Sequence, residues 1–504
     1  MELIQNVPFF SIMLSMFSGI VSAILPEKWA KWLNTAMIIV VGTLSGCLLY
    51  YMATSGIGSY TYMMGHFPAP WGNELRVGVL EAGMALFFSI IMLLSLLGGR
   101  KKLLGEVEHS KHNIYYILCD LMLSSLLALI YTNDLFTAYV FVEINTIAAA
   151  GLIMIRQNGR CIEATVRYMI MSLLGSGLLL LGICMLYDLT GHLLMSNIKE
   201  QVNAIMRAGT YQVPMIITIG IMTVGLAIKS ALFPFHSWLP DAYGYATVSS
   251  GAILSSLVSK GYIFLLIKLF YRVIGFGYIS SSHVLSLLFV FGLCGMIFGS
   301  VSAIWEKDIR RMIAFSSVAQ IGYIYMGFGL GTTLGMVASI FHILSHAATK
   351  SLLFVSAMGL TDVSGGSRSF FELTGAGYRN KVAGAGFLVG ALSMVGIPVF
   401  SGFVSKLLFA EAAMLVPNWK LLPTLIVLAV STILNAVYFL KTVVRIYTPV
   451  DGAMIREKGY FHLKFPEQKL YCVTIFLFII VNLILGMTSQ PIIRLIEEGL
   501  RNFA

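Results

Sequence analysis

Four lysines, Lys229, Lys260, Lys350 and Lys406, stand deep inside apolar stretches of the sequence. A lysine at the centre of a bilayer costs on the order of 2.5–3.5 kcal/mol on insertion scales, so it is retained mostly where it is paired or functional. The chemistry such a group offers is reversible proton carriage. Burial disfavours an ammonium, a nearby carboxylate favours it, and moving the carboxylate therefore switches affinity for the proton. The natural carboxylate is Glu143, in Ala138-Tyr139-Val140-Phe141-Val142-Glu143-Ile144. No basic residue lies within a helical turn or two of it, so its partner must come from another segment, and Lys229 is the candidate.

A second set reads His342-Ile-Leu-Ser-His346-Ala-Ala-Thr-Lys350. Positions i, i+4 and i+8 drift only about 80° around a helix of 3.6 residues per turn, so all three line one stripe. A His-x3-His pair could also hold a metal, but the lysine one turn on argues against it. Ser345, Thr349 and Ser351 favour a hydrated polar stripe, and histidines titrating near pH 6.5 suit a proton relay. Asp120 and Glu81 also fall in apolar runs, where a hydrophilic path and a structural hydrogen bond are equally open readings. Asp134 stands where it would cap a helix. Lys268, near the end of its apolar run, is expected to snorkel to the interface, which makes its replacement by Ala nearly silent. The six cysteines form no CxxC pair, so no zinc or iron–sulfur site is expected in the chain.

The elements that must position these groups follow from composition. Of 504 residues, 58% are hydrophobic and 11% charged, with a mean hydropathy of +0.86. Soluble domains carry roughly 25% charged residues, so a water-soluble enzyme, a disordered chain and a nucleic-acid-binding protein are all excluded. The net charge of +10 is read as a membrane-topology signal. A window of membrane length finds fourteen spans, numbered here in order: 8–25, 34–53, 77–98, 114–132, 135–155, 166–188, 214–239, 246–270, 284–304, 312–330, 333–359, 383–415, 422–447 and 470–489. The first run lacks a basic leader and reads as a span. Connections 54–76, 189–213 and 360–382 are long enough for surface structure, and 448–469 is a polar linker. Numbered by the spans they join, odd loops hold 21 Lys and Arg, against seven in the even loops and tails. That alternation supports the count and places both termini outside the cytoplasm of a prokaryotic plasma membrane.

Two spans carry helix breakers. Span 7 contains Leu232-Phe233-Pro234-Phe235 with Pro240 following, and span 12 contains Gly396-Ile397-Pro398 and Ser401-Gly402. Each break has a lysine beside it, Lys229 and Lys406, and the breaks lie five spans apart. Interrupted helices in corresponding places of two units are the mark of an inverted-repeat transporter. The expected fold is therefore an all-α polytopic membrane protein: N-terminal helices over 1–113, one five-helix repeat over 114–270, its inverted partner over 284–447, and a linker, helix and tail over 448–504.

The stretch Leu232-Phe-Pro-Phe-His236-Ser-Trp238-Leu-Pro240-Asp241-Ala242, followed by Ser259-Lys260-Gly261-Tyr262, resembles the antiporter-like subunit family. That family is shared by respiratory complex I, Mrp cation/proton antiporters and energy-converting membrane-bound hydrogenases. The Glu143 segment, Lys307–Tyr323, His342–Leu353 and Gly396–Lys406 resemble it in the same order, covering most of residues 115–410. One departure is Tyr243-Gly-Tyr-Ala-Thr247, where the family commonly has a histidine and a proline. The resemblance implies fourteen spans with broken helices 7 and 12. It further implies that Glu143 and Lys229 form a modulating pair, that Lys260, His342, His346 and Lys350 carry protons laterally, and that Lys406 faces an exit half-channel. Asp120, His236 and Asp241 are further candidates for the polar path. A lysine at 406 looks more like Mrp D-type and hydrogenase-type subunits than the complex I member with glutamate there.

The expected function is proton translocation, with sodium as a second candidate ion, by one membrane subunit of a redox-driven complex. A membrane-bound hydrogenase or complex I-like oxidoreductase would fit. The alternative is the core of an Mrp-type Na+/H+ antiporter. Hydrogenase and iron–sulfur subunits are the partners expected on the first reading. No cofactor is expected in this chain, with clusters and metals confined to partners.

Overall fold

Runs of apolar residues longer than a bilayer is thick leave the backbone no partner but itself, and the chain is accordingly helical almost throughout. The computed structural model describes residues 2–67, 72–449, 461 and 466–503. Among them, thirteen helices are long and apolar enough to cross a membrane. Spans 1–6 are Val7–Ile24, Glu27–Ser55, Val79–Leu103, His109–Tyr131, Leu135–Met154 and Gly159–Thr190. Span 8 is Val248–Ile274, and spans 9–11 are His283–Trp305, Ile309–Leu330 and Thr333–Asp362. Spans 13 and 14 are Asn418–Ile446 and Gln468–Met487.

Spans 7 and 12 differ from the rest. In span 7 the helix Gln212–Lys229 stops, turns carry the chain past Pro234, and a short helix Leu239–Tyr245 follows. In span 12 the helix Lys381–Val395 stops at Gly396, and Ser401–Ala413 resumes beyond Pro398. Neither half of span 12 reaches full membrane length, which is why thirteen long helices stand where fourteen spans were expected.

Spans 8 and 11 are buried along the whole of their most apolar stretch and span 10 along 94% of it, whereas span 13 is buried along 28%. The candidate residues on spans 8 and 11 therefore lie at the centre of the bundle. Close approach there depends on small residues. A Cβ on Gly292 of span 9 would meet the Met326 nitrogen of span 10 at 2.4 Å, and one on Gly322 would meet the Gly292 oxygen at 2.6 Å.

The predicted surface connections contain structure. Strands Ser59–Met63 and Glu74–Gly78 pair antiparallel, helix Met195–Ala208 buries Met195, Ile198 and Val202, and Ala376–Arg379 forms one short turn of helix. The tail helix Ser489–Phe503 buries Ile493, Ile496, Leu500 and Phe503 on one side. The linker predicted over 448–469 lies largely outside the described residues.

Three basic residues are not where the sequence reading put them. Lys268 does not snorkel: it is fully buried, and its Nζ donates to Leu129 O at 3.1 Å, to Ile130 O at 3.0 Å and to Thr132 O. It closes the C-terminal end of span 4, where carbonyls lack helical donors and the helix dipole is negative. Arg272, counted as a loop charge, is buried against Glu81 of span 3 and stacks 4.0 Å over the Phe503 ring of the tail helix. Lys420 is also buried, donating to Gly329 O at the end of span 10 at 2.6 Å.

The interruption of span 12 is held tightly. A Cβ on Gly402 would stand 1.8 Å from Ser393 O in the preceding half-helix, backbone that cannot yield locally. Gly402→Ala is expected to force the halves apart and destabilise the protein by about 1–3 kcal/mol. A melting temperature equal to wild type in the same detergent would contradict this packing.

Candidate functional site

Lys229 is the last residue of its helix and is buried. Its Nζ donates to Thr146 Oγ1 at 2.7 Å and lies 3.5 Å from Glu143 Oε1 and 5.3 Å from the centre of the Tyr262 ring. Glu143 and Thr146 are three residues apart, so span 5 presents them on one face. The pair is asymmetric: the lysine side chain is inaccessible, whereas the carboxylate is 26% exposed and also accepts from Ser176 of span 6. The Tyr262 hydroxyl of span 8 donates to Asn145 Oδ1 at 3.0 Å and lies 3.3 Å from Thr146 Oγ1, linking the pair to the centre of the bundle.

Lys260 lies two residues beyond the π-helical stretch Leu254–Val258 of span 8. It is fully buried, and its Nζ donates to Ser255 O and, at 3.1 Å, to Ser259 Oγ. The π-helical stretch just before it packs against span 11, the helix that carries His342, His346 and Lys350. The wider π turn draws one carbonyl out of the regular ladder. Lys350 donates to Ile313 O at 2.8 Å and to Ser316 Oγ, both on span 10.

The imidazoles of His342 and His346 are nearly parallel, 6.1 Å apart centre to centre. His342 Nδ1 is 3.0 Å from Ser405 Oγ in the second half of span 12, and its ring stacks on Tyr323 at 5.4 Å. His342 Nε2 and both nitrogens of His346 have no hydrogen-bond partner among the described residues. Each can therefore accept or pass a proton without first breaking a protein contact. Lys406 ends the row. Its Nζ donates to Val395 O at 2.6 Å, to Met394 O at 3.3 Å and to Thr432 Oγ1 at 3.0 Å, and lies 5.8 Å from the Tyr323 ring centre. It thus binds the open carbonyl end of the first half of its own interrupted span.

The structure buries Lys229, Lys260, His342, His346 and Lys350 in the bundle interior, with Glu143 and Lys406 half-buried beside them. Three other candidates sit elsewhere. Asp120 accepts from Asn34 at 2.5 Å and Ser18 at 3.0 Å, within spans 1, 2 and 4. Asp241 pairs with Arg167 at 3.0 Å and Arg311 at 2.5 Å. His236 lies in the span 7 turn, stacked on Phe233 at 5.4 Å. Asp134 accepts from Thr137 N at 2.6 Å and caps span 5, as its position predicted. Outside the row, Glu27, His109 and His112 bring three ligand-type atoms within 4.8 Å of one another. The two Nδ1 atoms lie 2.9 and 2.6 Å from the oxygens of Glu27, an arrangement that carboxylate–imidazole pairing accounts for.

Sequence reasoning missed the hydroxyl and amide partners: Asn145, Thr146, Tyr262, Tyr323, Ser405 and Thr432. A signal existed for two of them, since Asn145 and Thr146 follow Glu143 within one helical turn. A further buried cluster is formed by Asn482 of span 14, whose Oδ1 accepts from Thr349 at 2.7 Å and from Ser393 and Ser401 at 3.4 Å.

Thr146→Val removes the closer of the two polar partners of Lys229 while preserving volume. Hydrogen bonds to charged groups contribute about 1.5–3 kcal/mol, so transport is expected to fall roughly tenfold with assembly intact. The rate of proton uptake into proteoliposomes measures this, and an unchanged rate would remove Thr146 from the site.

A helical membrane bundle with a lysine–carboxylate pair and a row of buried lysines and histidines defines an antiporter-like membrane subunit. The chain belongs to the NADH:quinone oxidoreductase/Mrp antiporter transmembrane family, whose profile matches residues 132–434. It is 32% identical over 445 residues to NADH-quinone oxidoreductase subunit N of Desulforudis audaxviator, covering 86% of each chain. It is 28% identical to the putative antiporter subunit mnhD2 of Staphylococcus epidermidis, over 94% of this chain and 90% of that one. Among solved structures, a chain of the Mrp complex from Dietzia sp. DQ12-45-1b superposes with a TM-score of 0.86. A chain of the archaeal membrane-bound sulfane sulfur reductase superposes with 0.85. Each covers all of this chain and 98% of the other at 22% identity, which establishes a shared fold.

Proposed function

We propose that this chain translocates protons as one membrane subunit of a redox-driven complex, with its cofactors held by partner subunits. The observation that carries the reading is Lys229, buried 3.5 Å from Glu143 and continuous through Thr146 and Tyr262 with the bundle interior. With Glu143 close, the ammonium of Lys229 is held by an opposite charge. Withdrawing the carboxylate removes that attraction and frees the proton to move toward Lys260. Lys260, His346 and Lys350 are buried basic groups on packed helices, so a proton arriving on one disfavours a proton on its neighbours and promotes its departure. His342 and Tyr323 then connect these groups with Lys406, the group assigned to exit. Sodium could share this route only where oxygen ligands gather, as they do around Glu143.

The two units 114–270 and 284–447 are proposed to be inverted repeats. The support is that the helical interruptions fall five spans apart, each with a lysine ammonium beside a half-helix end. The excess of basic residues in odd loops supports termini outside the cytoplasm. The Mrp-type antiporter is the second reading, favoured by the lysine at 406 and by coverage of 90% of mnhD2. Gentle-detergent purification with mass spectrometry separates them. Co-purifying hydrogenase or other iron–sulfur subunits support the redox-driven reading, whereas small hydrophobic partners alone overturn it in favour of sodium/proton exchange.

A further inference from the structure

We propose that an arginine-lined cavity at the basic-loop end of the bundle binds a phosphate group, carried by an anionic phospholipid or free in solution. The cavity is a surface-open depression of about 600 Å³ where the connections 5–6, 7–8, 9–10 and 11–12 meet, and its walls include Arg156, Arg160, Tyr245, Asp308, Gly366 and Arg368. Arg310 packs behind it, buried, with Nε lacking a partner among the described residues.

The charges do not balance. Arg156, Arg310 and Arg368 lie near two carboxylates, Glu106 and Asp308, and Arg160 lines the same cavity. Glu106 lies 3.5 Å from Arg156, and Asp308 Oδ1 is already committed to the backbone of span 10, accepting from Arg310 N at 2.8 Å and Arg311 N at 3.2 Å. The remaining guanidinium contacts are with neutral groups. Arg156 donates to Tyr245 O and Arg368 to Gly244 O, each at 3.0 Å, Arg310 donates to Ala246 O at 2.6 Å, and Arg160 stacks on the Tyr245 ring at 5.6 Å. These contacts fix the arginines in place without cancelling their charge. An excess of positive charge on planar donors around one cavity, Arg156 and Arg368 among them held in place, matches a phosphate. The N-terminus of span 6, at Gly159, opens onto the same space and adds dipole of the same sign. Basic pockets between membrane helices at the level of the headgroups are where anionic lipids are held. A phosphate here would join connections from both halves of the bundle.

The test uses the full chain in its complex, exchanged into neutral phosphatidylcholine and titrated separately with phosphatidylglycerol and with inorganic phosphate. Binding is read by native mass spectrometry for the lipid and by melting temperature for the ion. Wild type is expected to bind phosphatidylglycerol, and Arg160→Gln to weaken that roughly fivefold, the factor for one surface arginine. The double variant Arg160→Gln, Arg368→Gln should compound the loss. Arg160 is exposed and, among the described residues, makes a ring contact alone, so the single variant keeps the test valid if the double variant misfolds. Arginine-dependent stabilisation by inorganic phosphate without lipid binding would support the site and assign it to the soluble anion. No dependence of either titration on Arg160, or an equal loss in an Arg494→Gln, Arg501→Gln control on the tail helix, would overturn the proposal.

Discussion

Lys229→Ala is expected to abolish coupled ion transport while the protein remains assembled with its partners. The substitution leaves Glu143 without its buried partner and Thr146 without the ammonium it accepts from. Removing a buried charge also removes its desolvation cost, so the loss of function need not carry a loss of folding. The carboxylate left behind is partly exposed and can be hydrated. The measurement pairs proton pumping in inside-out vesicles with the amount of assembled complex in the same membranes. Wild-type pumping by assembled Lys229→Ala protein would sink the assignment. Glu143→Gln gives a milder companion, since it keeps shape and hydrogen bonding while removing the charge that modulates Lys229.

Lys268→Ala should do the reverse, damaging stability more than transport per folded molecule. Three carbonyls at the end of span 4 lose their donor inside the protein, and buried groups left unsatisfied cost about 1–3 kcal/mol each. The lost cost of burying the ammonium offsets part of this, leaving a net destabilisation on the order of 3 kcal/mol. Lys268→Met, which retains the volume but not the donors, should be nearly as harmful. Thermal melting in detergent and the yield of folded protein are the readouts. Wild-type values for both variants would restore the interfacial position that the sequence alone suggested.

The difference between these two lysines shows what a sequence carries. Lys229 was legible because a lysine ten or more residues from each end of an apolar run is rare, and a proline-containing turn follows it. Lys268 was not, because distance along its own span says nothing about where a neighbouring helix ends. That span 4 stops beside it is a fact of packing between residues about 140 positions apart. The hydroxyl partners were hidden for another reason. A serine or threonine in an apolar helix usually donates to its own backbone, and Thr146 does so to Val142 O at 2.8 Å. Its second role, accepting from Lys229, leaves no mark in the local sequence. Asp241 was a candidate for the polar path, but it is paired with arginines from spans 6 and 10.

The arrangement at Lys406 couples chemistry to mechanics. Its ammonium clamps the carbonyl end of the helix that stops at Val395, from a position on the helix that restarts at Ser401. A charged clamp on that negative helix end is stronger than a neutral amine on the same oxygens. On the proposed proton path, a proton leaving Lys406 would slacken the joint between the two half-helices, and one arriving would tighten it. On that proposal the interrupted helix would serve as a hinge whose stiffness is set one proton at a time.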